Sequence, residues 1–116
     1  MHRFVYYDDL DPRCLDTGIV IFDGAGYAPL WHLCRETGLQ VVADVHTHPG
    51  IARQSGTDRS HPMIAVRGHI AVIVPDFARR QPALEDLGIY EYRGGHQWTN
   101  LSGPDAGRVV YTRFWS

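Results

Sequence analysis

The chain has 116 residues, of which 44% are hydrophobic and 21% are charged, as in an ordinary soluble globular protein. We therefore expect residues 1–116 to form a single domain around one core. The net charge of −2 is too small to indicate a surface for nucleic acid or for an acidic membrane. No apolar run approaches the roughly 20 residues that a membrane-spanning helix needs.

The N-terminal residues and the cysteines together indicate a cytoplasmic protein. The first nine residues lack the order of a signal peptide, in which a basic segment precedes an apolar one. Cys14 and Cys34 are far apart and match no spacing of metal ligands or disulfide partners. Free thiols in a reducing cytoplasm are the simplest account of both residues.

Two strands and one helix are predicted in the first third of the chain. Aromatic and β-branched residues predict strands over 3–7 and 17–22, and a helix is predicted over 27–37. Pro29 suits the first turn of that helix and Gly38 suits its C-terminal cap. The helix carries one apolar stripe at positions i, i+3 and i+4, made of Leu30, Leu33 and Cys34. Trp31 and His32 lie off that stripe, and His32 is interpreted as a surface residue.

The next segment is predicted to be a buried strand over 40–45 that leads directly into two histidines. Side chains alternate between the two faces of a strand, so His46 and His48 should point the same way. Pro49 cannot donate a backbone hydrogen bond, and it should therefore end the strand just past the two rings.

These histidines are candidate metal ligands, with Asp58 as the third. The chain between His48 and Asp58 is long enough to fold back and add a carboxylate to the two imidazoles. Two histidines and one carboxylate, with water in the fourth place, form the pattern of a catalytic zinc site. The alternative for an isolated His-x-His pair is a surface or capping pair without metal. Asp44 lies two residues before His46 and shares its face, so it either orients an imidazole or is merely solvated or hydrogen-bonded.

A short helix is predicted to open near Thr57 or Asp58 and to end near Arg67 and Gly68. His61 either lines a substrate cleft or is an exposed polar residue. A further apolar strand is predicted over 69–74, ended by Pro75, and His69 at its start is interpreted as structural.

The last third of the chain is predicted to be rich in short strands. Residues 77–86 should be helical or loop-like at the surface, followed by a strand over 88–92, a turn at 94–95 and a final strand over 108–115. The aromatic residues of this region could bind the tail of a partner, but we expect them to fill a small core. They are Tyr90, Tyr92, Trp98, Tyr111, Phe114 and Trp115.

The segment around the histidines resembles the JAB1/MPN/Mov34 metalloenzymes, also called JAMM peptidases. The family signature is an upstream Glu, then His-(Ser/Thr)-His-Pro, a loop, and Ser-x-x-Asp. This chain has His46-Thr47-His48-Pro49, then Gly50 to Gln54, then Ser55-Gly56-Thr57-Asp58. The resemblance extends from about Asp16 to Phe77, and the loop is one residue shorter than the commonest family spacing.

The resemblance implies a fold and a reaction. The fold is α/β, JAB/MPN-like (cytidine-deaminase-like), with a mixed, curved sheet flanked by helices. The implied activity is a zinc-dependent isopeptidase or peptidase acting at the C-terminal tail of a ubiquitin-like or sulfur-carrier protein. His46, His48 and Asp58 would bind zinc, and Ser55 would donate a hydrogen bond to the oxyanion. Relatives often act beside E1-like proteins, so an E1-like or operon partner is implied as well.

One part of the family pattern has no match in this chain. The general-base Glu of the family lies well before the histidine pair, whereas the only Glu ahead of His46 is Glu36, ten residues away. Three interpretations stay open: a longer gene product carries the Glu, a partner chain or unexpected part of the fold supplies it, or the protein does not hydrolyse its ligand. A domain without the N-terminal Glu-bearing element should expose an apolar sheet edge, which predicts a homodimer or heterodimer.

Two alternatives to the isopeptidase follow from the same residues. The first is a catalytically silent MPN-type scaffold that binds a partner protein. The second is a hydrolase that trims small adducts from a carrier protein. Retention of all three ligands and of Ser55 favours an enzyme over the scaffold.

Overall fold

The computed structural model describes residues 4–13, 24–103 and Ala106. They cluster into two units, one within residues 1–40 and the other within residues 41–116. The first unit contains helices α1 (Tyr7–Leu10) and α2 (Gly24–Thr37), and the second contains one sheet and helix α3 (Gly56–Ser60). Within the described residues, no helix combines the length and the apolar character that crossing a membrane would require. That the chain is one JAB/MPN-like domain stays a prediction.

Helix α2 confirms the predicted helix and its C-terminal cap. Leu30 is buried, whereas Leu33 and Cys34 on the same stripe are half-buried. The helix ends at Thr37, and Gly38 follows with a φ of 71°, donating its N–H to the Cys34 carbonyl at 2.9 Å. A left-handed φ of this kind is readily adopted by glycine. The helix begins at Gly24 rather than at Tyr27, so Pro29 lies inside it and not in its first turn.

Surface residues of the first unit agree with the sequence interpretation. His32 is exposed and lies 3.5 Å from Glu36, one turn further along α2. Cys34 is a free thiol. Cys14 and the predicted strand over 17–22 lie outside the described residues, as does the predicted final strand over 108–115.

The predicted strand over 3–7 is wrong in its described part. Phe4 to Tyr6 form no regular secondary structure, and α1 starts at Tyr7. Phe4 and Tyr6 are 70% and 71% exposed, and no described strand pairs with them. A preference for β structure reflects packing on a half-buried sheet, and without that neighbour it does not decide the conformation.

The second unit is built on a mixed four-stranded sheet in the order β1-β2-β3-β4. Strands β1 and β2 are parallel, and the other two pairs are antiparallel. The α/β class and the mixed sheet are therefore confirmed at this level. The strands are β1 (Ala43–Thr47), β2 (Ile70–Val74), β3 (Gly88–Gly94) and β4 (Gln97–Asn100).

Strand β1 differs from the prediction in place and burial. It begins at Ala43 and runs through His46, rather than ending before the histidines. Within the described sheet it lies at the edge, and Val42 and Val45 are 47% and 48% exposed. The prediction of a buried strand was wrong. An apolar run can also lie in an edge strand, where part of its side chains remains exposed to solvent.

The strand register separates the sheet into two faces. The core face carries Ile70, Val72 and Ile89, which pack with Ala106 into the main apolar cluster. The ligand face is the opposite side. It carries Asp44 and His46 of β1, Ala71 and Ile73 of β2, Gly88, Tyr90 and Tyr92 of β3, and Trp98 of β4.

The segments that connect β1, β2 and β3 contain short helical turns. Helix α3 ends at Ser60, not near Arg67 and Gly68 as predicted. Pro62 explains this end, because proline disfavours helical conformation in the residue before it, and His61 has φ −129° and ψ 68°. Residues 77–86 form short 3₁₀ turns (Asp76–Ala78 and Leu84–Asp86) and loops without buried residues, which agrees with the predicted helical or loop-like surface segment.

The turn at Asp76–Ala78 has an unusual backbone. Its three residues have φ values of 55°, 52° and 57°, the left-handed region that residues other than glycine rarely adopt. Two backbone hydrogen bonds tie this turn to the chain that follows β1. Asp76 donates its N–H to the Gly50 carbonyl at 2.9 Å, and Phe77 donates to the His48 carbonyl at 2.8 Å.

Strands β3 and β4 form a hairpin that confirms two further expectations. The turn lies at Gly95 and His96, one residue later than predicted. Tyr90 and Tyr92 are buried, and Trp98 packs against Tyr92 edge-on with ring centroids 4.9 Å apart. Tyr90 and Tyr92 therefore lie in the interior and Trp98 is half-buried beside them, while Tyr111, Phe114 and Trp115 lie outside the described residues.

Candidate metal centre

Strand β1 brings the two predicted histidines together. His48 follows the end of β1, but its N–H still donates to the Val74 carbonyl at 3.0 Å, so it remains paired with β2. The side-chain alternation of the strand therefore continues to His48. The Nε2 atoms of His46 and His48 are 3.2 Å apart, and the ring centroids are 5.0 Å apart.

Asp58 reaches the same point from helix α3. Its Oδ1 lies 3.5 Å from Nε2 of His46, and its Oδ2 lies 3.1 Å from Nε2 of His48. The three side chains are 20% to 22% exposed, so the group is sheltered but open to solvent. Within the described residues, these three form the group of potential ligands whose donor atoms all lie within 4.8 Å of one another.

The spacing of the two imidazole nitrogens fits a tetrahedral metal ion. Ligand atoms about 2.0–2.1 Å from an ion, in tetrahedral directions, lie about 3.3 Å from one another. The separation between the two imidazole nitrogens, 3.2 Å, lies close to that value. Each of these nitrogens faces a different oxygen of the Asp58 carboxylate, with Oδ1 3.5 Å from His46 and Oδ2 3.1 Å from His48. Two imidazole nitrogens and one carboxylate oxygen could hold a divalent ion and leave a fourth position for water or substrate.

The carboxylate of Asp58 is fixed by the start of α3. Ser55 is the N-cap, and its Oγ accepts the Asp58 N–H at 3.0 Å. In return, the Ser55 N–H donates to Oδ2 of Asp58 at 2.9 Å. This reciprocal pair is a capping box, which holds the ligand in one orientation. Because the Ser55 oxygen acts here as an acceptor, the hydroxyl keeps its own hydrogen for another partner.

The loop before α3 folds back over the ligand face of the sheet. The Gln54 N–H donates to the Tyr90 hydroxyl at 3.3 Å. A Cβ atom on Gly88 would collide with the Ala52 carbonyl oxygen, so the loop needs a glycine beneath it. This close approach, together with the tyrosine, places Ser55 and Asp58 beside the histidines.

A third long-range contact holds the far end of α3. Nε1 of Trp98 donates to the Arg59 carbonyl at 3.1 Å. The residues in these contacts are far apart in the chain, and the sequence interpretation did not find them. Local spacing carries no signal for such pairs.

Asp44 lies behind His46 and is hydrogen-bonded rather than merely solvated. Its Oδ2 is 3.4 Å from Nδ1 of His46, and its Oδ1 is 2.8 Å from Nε2 of His69. Burial alone would raise the pKa of Asp44, but its bonds and charge attraction to the two histidines outweigh burial and lower it. For His46, burial opposes the charged form, but Asp44 and then Asp58 outweigh it, so its pKa is raised. The negative charges of Asp44 and Asp58 also favour binding of a cation at His46.

Two other candidates, His61 and Glu36, are not members of this group of potential ligands. His61 is exposed, and its Nδ1 lies 3.2 Å from the Thr57 carbonyl oxygen. It is therefore placed as an exposed polar residue rather than as a fourth ligand. Glu36 belongs to the first unit, where it lies beside His32 on α2.

Comparison with known proteins found a relative that is named as a metalloprotease. No protein-family model matches the chain. A protein of Sinorhizobium fredii named "Probable metalloprotease y4jG" is 27% identical over 73 residues, which are 63% of this chain and 45% of that protein. The chain therefore spans less than half of the length of the curated relative it matches.

Proposed function

We propose that this protein is a metal-dependent peptidase, and more narrowly a zinc-dependent isopeptidase of the JAMM type. Its substrate would be the amide bond at the C-terminal tail of a ubiquitin-like or sulfur-carrier protein. The observation that carries the proposal is the convergence of His46, His48 and Asp58, which offer one ligand atom each within 4.8 Å of one another. The relative named as a probable metalloprotease supports the peptidase, and the motif resemblance supports the narrower reaction.

The ligands would act by holding one divalent ion with an open position. When bound, zinc polarises the scissile carbonyl and brings the pKa of its water toward neutrality. Asp44 would keep the ring of His46 in place through Nδ1, 3.4 Å away. The capping box would do the same for Asp58.

Ser55 would stabilise the negative charge that develops on the substrate carbonyl. Its Oγ is already oriented, because it accepts the Asp58 N–H at 3.0 Å. An oriented hydroxyl that keeps its hydrogen can donate it to an oxyanion without reorganising. Ser55 would therefore contact both the N-terminus of α3 and the substrate carbonyl.

The decisive experiment combines metal analysis with cleavage. The purified chain is loaded with zinc, desalted and measured by mass spectrometry for bound metal, and then incubated with a ubiquitin-like protein carrying an amide-linked C-terminal extension. We expect one zinc per chain and release of the extension, both lost in His46→Ala. His32→Ala is the matched control, since His32 is an exposed histidine in the first unit.

Absence of bound zinc in the unmodified chain would contradict the proposed metal site. Zinc binding without cleavage would instead favour the second candidate, an MPN-type scaffold that binds a partner protein. That candidate has one observation in its favour, because no Glu of this chain matches the general base of the JAMM signature.

A further inference from the structure

A buried chain of polar contacts connects the candidate ligand His46 to His69, which lies just before the neighbouring strand. One carboxylate joins them, since Asp44 Oδ1 is 2.8 Å from Nε2 of His69 and Oδ2 is 3.4 Å from Nδ1 of His46. The side chains of His69 and Asp44 are 1% and 9% exposed. Because burial keeps bulk water away from both groups, their hydrogen bond to each other fixes the orientation of each.

The geometry also fixes where the hydrogens lie. A carboxylate only accepts hydrogen bonds, so both ring nitrogens that face Asp44 must carry hydrogen. His69 therefore donates from Nε2 and His46 donates from Nδ1. With its hydrogen on Nδ1, a neutral His46 presents a lone pair at Nε2, the atom that faces His48 and Asp58. This is the tautomer that a metal ion requires at Nε2.

His69 is held in this position at a cost. Its Nδ1 is buried and has no hydrogen-bond partner among the described residues. A buried polar atom without a partner is unfavourable, and an apolar side chain of similar shape would avoid the loss. Its backbone is fixed on both sides, because its N–H donates to Val66 at 3.1 Å and its carbonyl accepts from Tyr92 at 2.9 Å.

We infer that His69 is a positioning residue for the metal centre: it anchors the Asp44 carboxylate, which in turn selects the His46 tautomer that can bind metal. The inference deepens the proposed function and rests on its metal site. His69 does not touch the ion or the substrate. Its contribution is to prevent Asp44 from rotating away from Nδ1 of His46.

The test replaces the donor and then restores it. His69→Phe keeps a ring of similar size but removes the Nε2 donor, whereas His69→Gln keeps an N–H donor at a comparable distance along the side chain. The zinc dissociation constant of the full chain is measured by competition with a chromophoric chelator. We expect binding to weaken about 10–100-fold in His69→Phe, the range typical of lost outer hydrogen bonds to a ligand, and to stay within about threefold in His69→Gln.

A second measurement detects the tautomer without metal. At a pH where His46 is neutral, nitrogen-15 NMR of the histidine rings should show hydrogen on Nδ1 of His46 in the unmodified protein and in His69→Gln, and a mixture of tautomers in His69→Phe. A purely structural role for His69 would change thermal stability but not this ratio. His61→Phe is the control, because the same substitution at an exposed histidine should change neither quantity.

The outcomes separate this inference from the proposed function. Unchanged zinc affinity and unchanged His46 tautomer in a folded His69→Phe would overturn the inference while the metal site stands. If the unmodified chain binds no zinc, the metal site fails, and the tautomer ratio still decides whether His69 acts through Asp44. If His69→Phe does not fold, Asp44→Asn takes its place, since it turns one of the two oxygens that accept from the rings into an NH2 donor. Unaltered zinc affinity in Asp44→Asn would then refute the inference.

Discussion

Strands β1 and β2 lie side by side in parallel register for five residues each, yet their side chains are of opposite kinds. Strand β2 reads Ile-Ala-Val-Ile-Val and is buried at its first four positions. Strand β1 reads Ala-Asp-Val-His-Thr and is half-buried or exposed throughout. The backbone hydrogen bonds between them transmit the rigidity of the packed strand to the polar one. A strand can therefore present ligands accurately without belonging to the core itself.

The largest effect on stability is expected at Ile73 of β2. Ile73 is fully buried and pairs in register with His46. Ile73→Ala should lower the free energy of unfolding by about 2–5 kcal/mol, because a buried cavity replaces the side chain. Chemical denaturation monitored by circular dichroism measures this change. Ile73→Val should lose about 0.5–1.5 kcal/mol. If Ile73→Ala lost less unfolding free energy than the value expected for Ile73→Val, β2 would not be the rigid partner of β1.

The next effect is expected at Gly88, where the ligand loop contacts the sheet. Gly88→Ala introduces a methyl group into the Ala52 carbonyl oxygen, a backbone atom that cannot swing aside. We expect a loss of about 1–3 kcal/mol of unfolding free energy, typical of overpacking, and weaker zinc binding because the loop carries Asp58. Calorimetric titration with zinc measures the second effect.

Gly56→Ala is the matched control for this substitution. A Cβ atom on Gly56 would meet no heavy atom within 4 Å, and Gly56 lies in α3 of the same region. Unaltered zinc affinity in Gly88→Ala would show that the contact with Ala52 does not position the ligand.

A smaller effect on stability is expected at Ser55, where two roles can be separated. Ser55→Ala removes the cap of α3 and should reduce the unfolding free energy by about 0.5–2 kcal/mol. Zinc binding should largely persist, because the bond to Oδ2 of Asp58 comes from the Ser55 backbone. The turnover number should fall by about 10²–10³, the usual effect of losing one oxyanion donor.

Ser55→Thr keeps the hydroxyl and should retain both the cap and measurable turnover. A Ser55→Ala variant that cleaves substrate at the original rate would exclude Ser55 as an oxyanion donor and leave it as a helix cap.

The smallest effect is expected at Val45 of β1, the register partner of the buried Val72. Val45 is 48% exposed on the face away from His46, so Val45→Thr should change the unfolding free energy by no more than about 0.5 kcal/mol. Val72→Thr, which places a hydroxyl in the core, should cost clearly more. Equal losses of unfolding free energy in Val45→Thr and Val72→Thr would contradict the distinction between a packed β2 and a polar β1.

The predictable part of the site is the part encoded by local spacing. The alternation of a strand is enough to place His46 and His48 on one side. The short helix that opens near Thr57 or Asp58 was also predicted, but its capping by Ser55 was not. The mixed α/β class was implied by the resemblance of the histidine motif to the JAMM family. Helix α2 was found because its apolar stripe and its glycine cap are local signals.

The missed part depends on pairs that only the folded chain brings together. Asp44 and His69 are 25 residues apart, and Gln54 and Tyr90 are 36 apart. No periodicity links such positions, so the sequence indicated a possible role for Asp44 but not its partner. The incorrect strand over 3–7 has a related cause, because strand formation depends on a neighbouring strand that propensity cannot supply.

The left-handed turn at Asp76–Ala78 can report how well ordered the candidate metal centre is. Three successive residues other than glycine keep this backbone, and the carbonyl groups of His48 and Gly50 accept two of its N–H groups. If the His48 carbonyl shifts, the Phe77 amide loses its acceptor and the turn can relax, which accelerates hydrogen exchange at that amide. Deuterium uptake at Phe77 would then report how firmly the ligand loop is held, with neither substrate nor spectroscopic metal required.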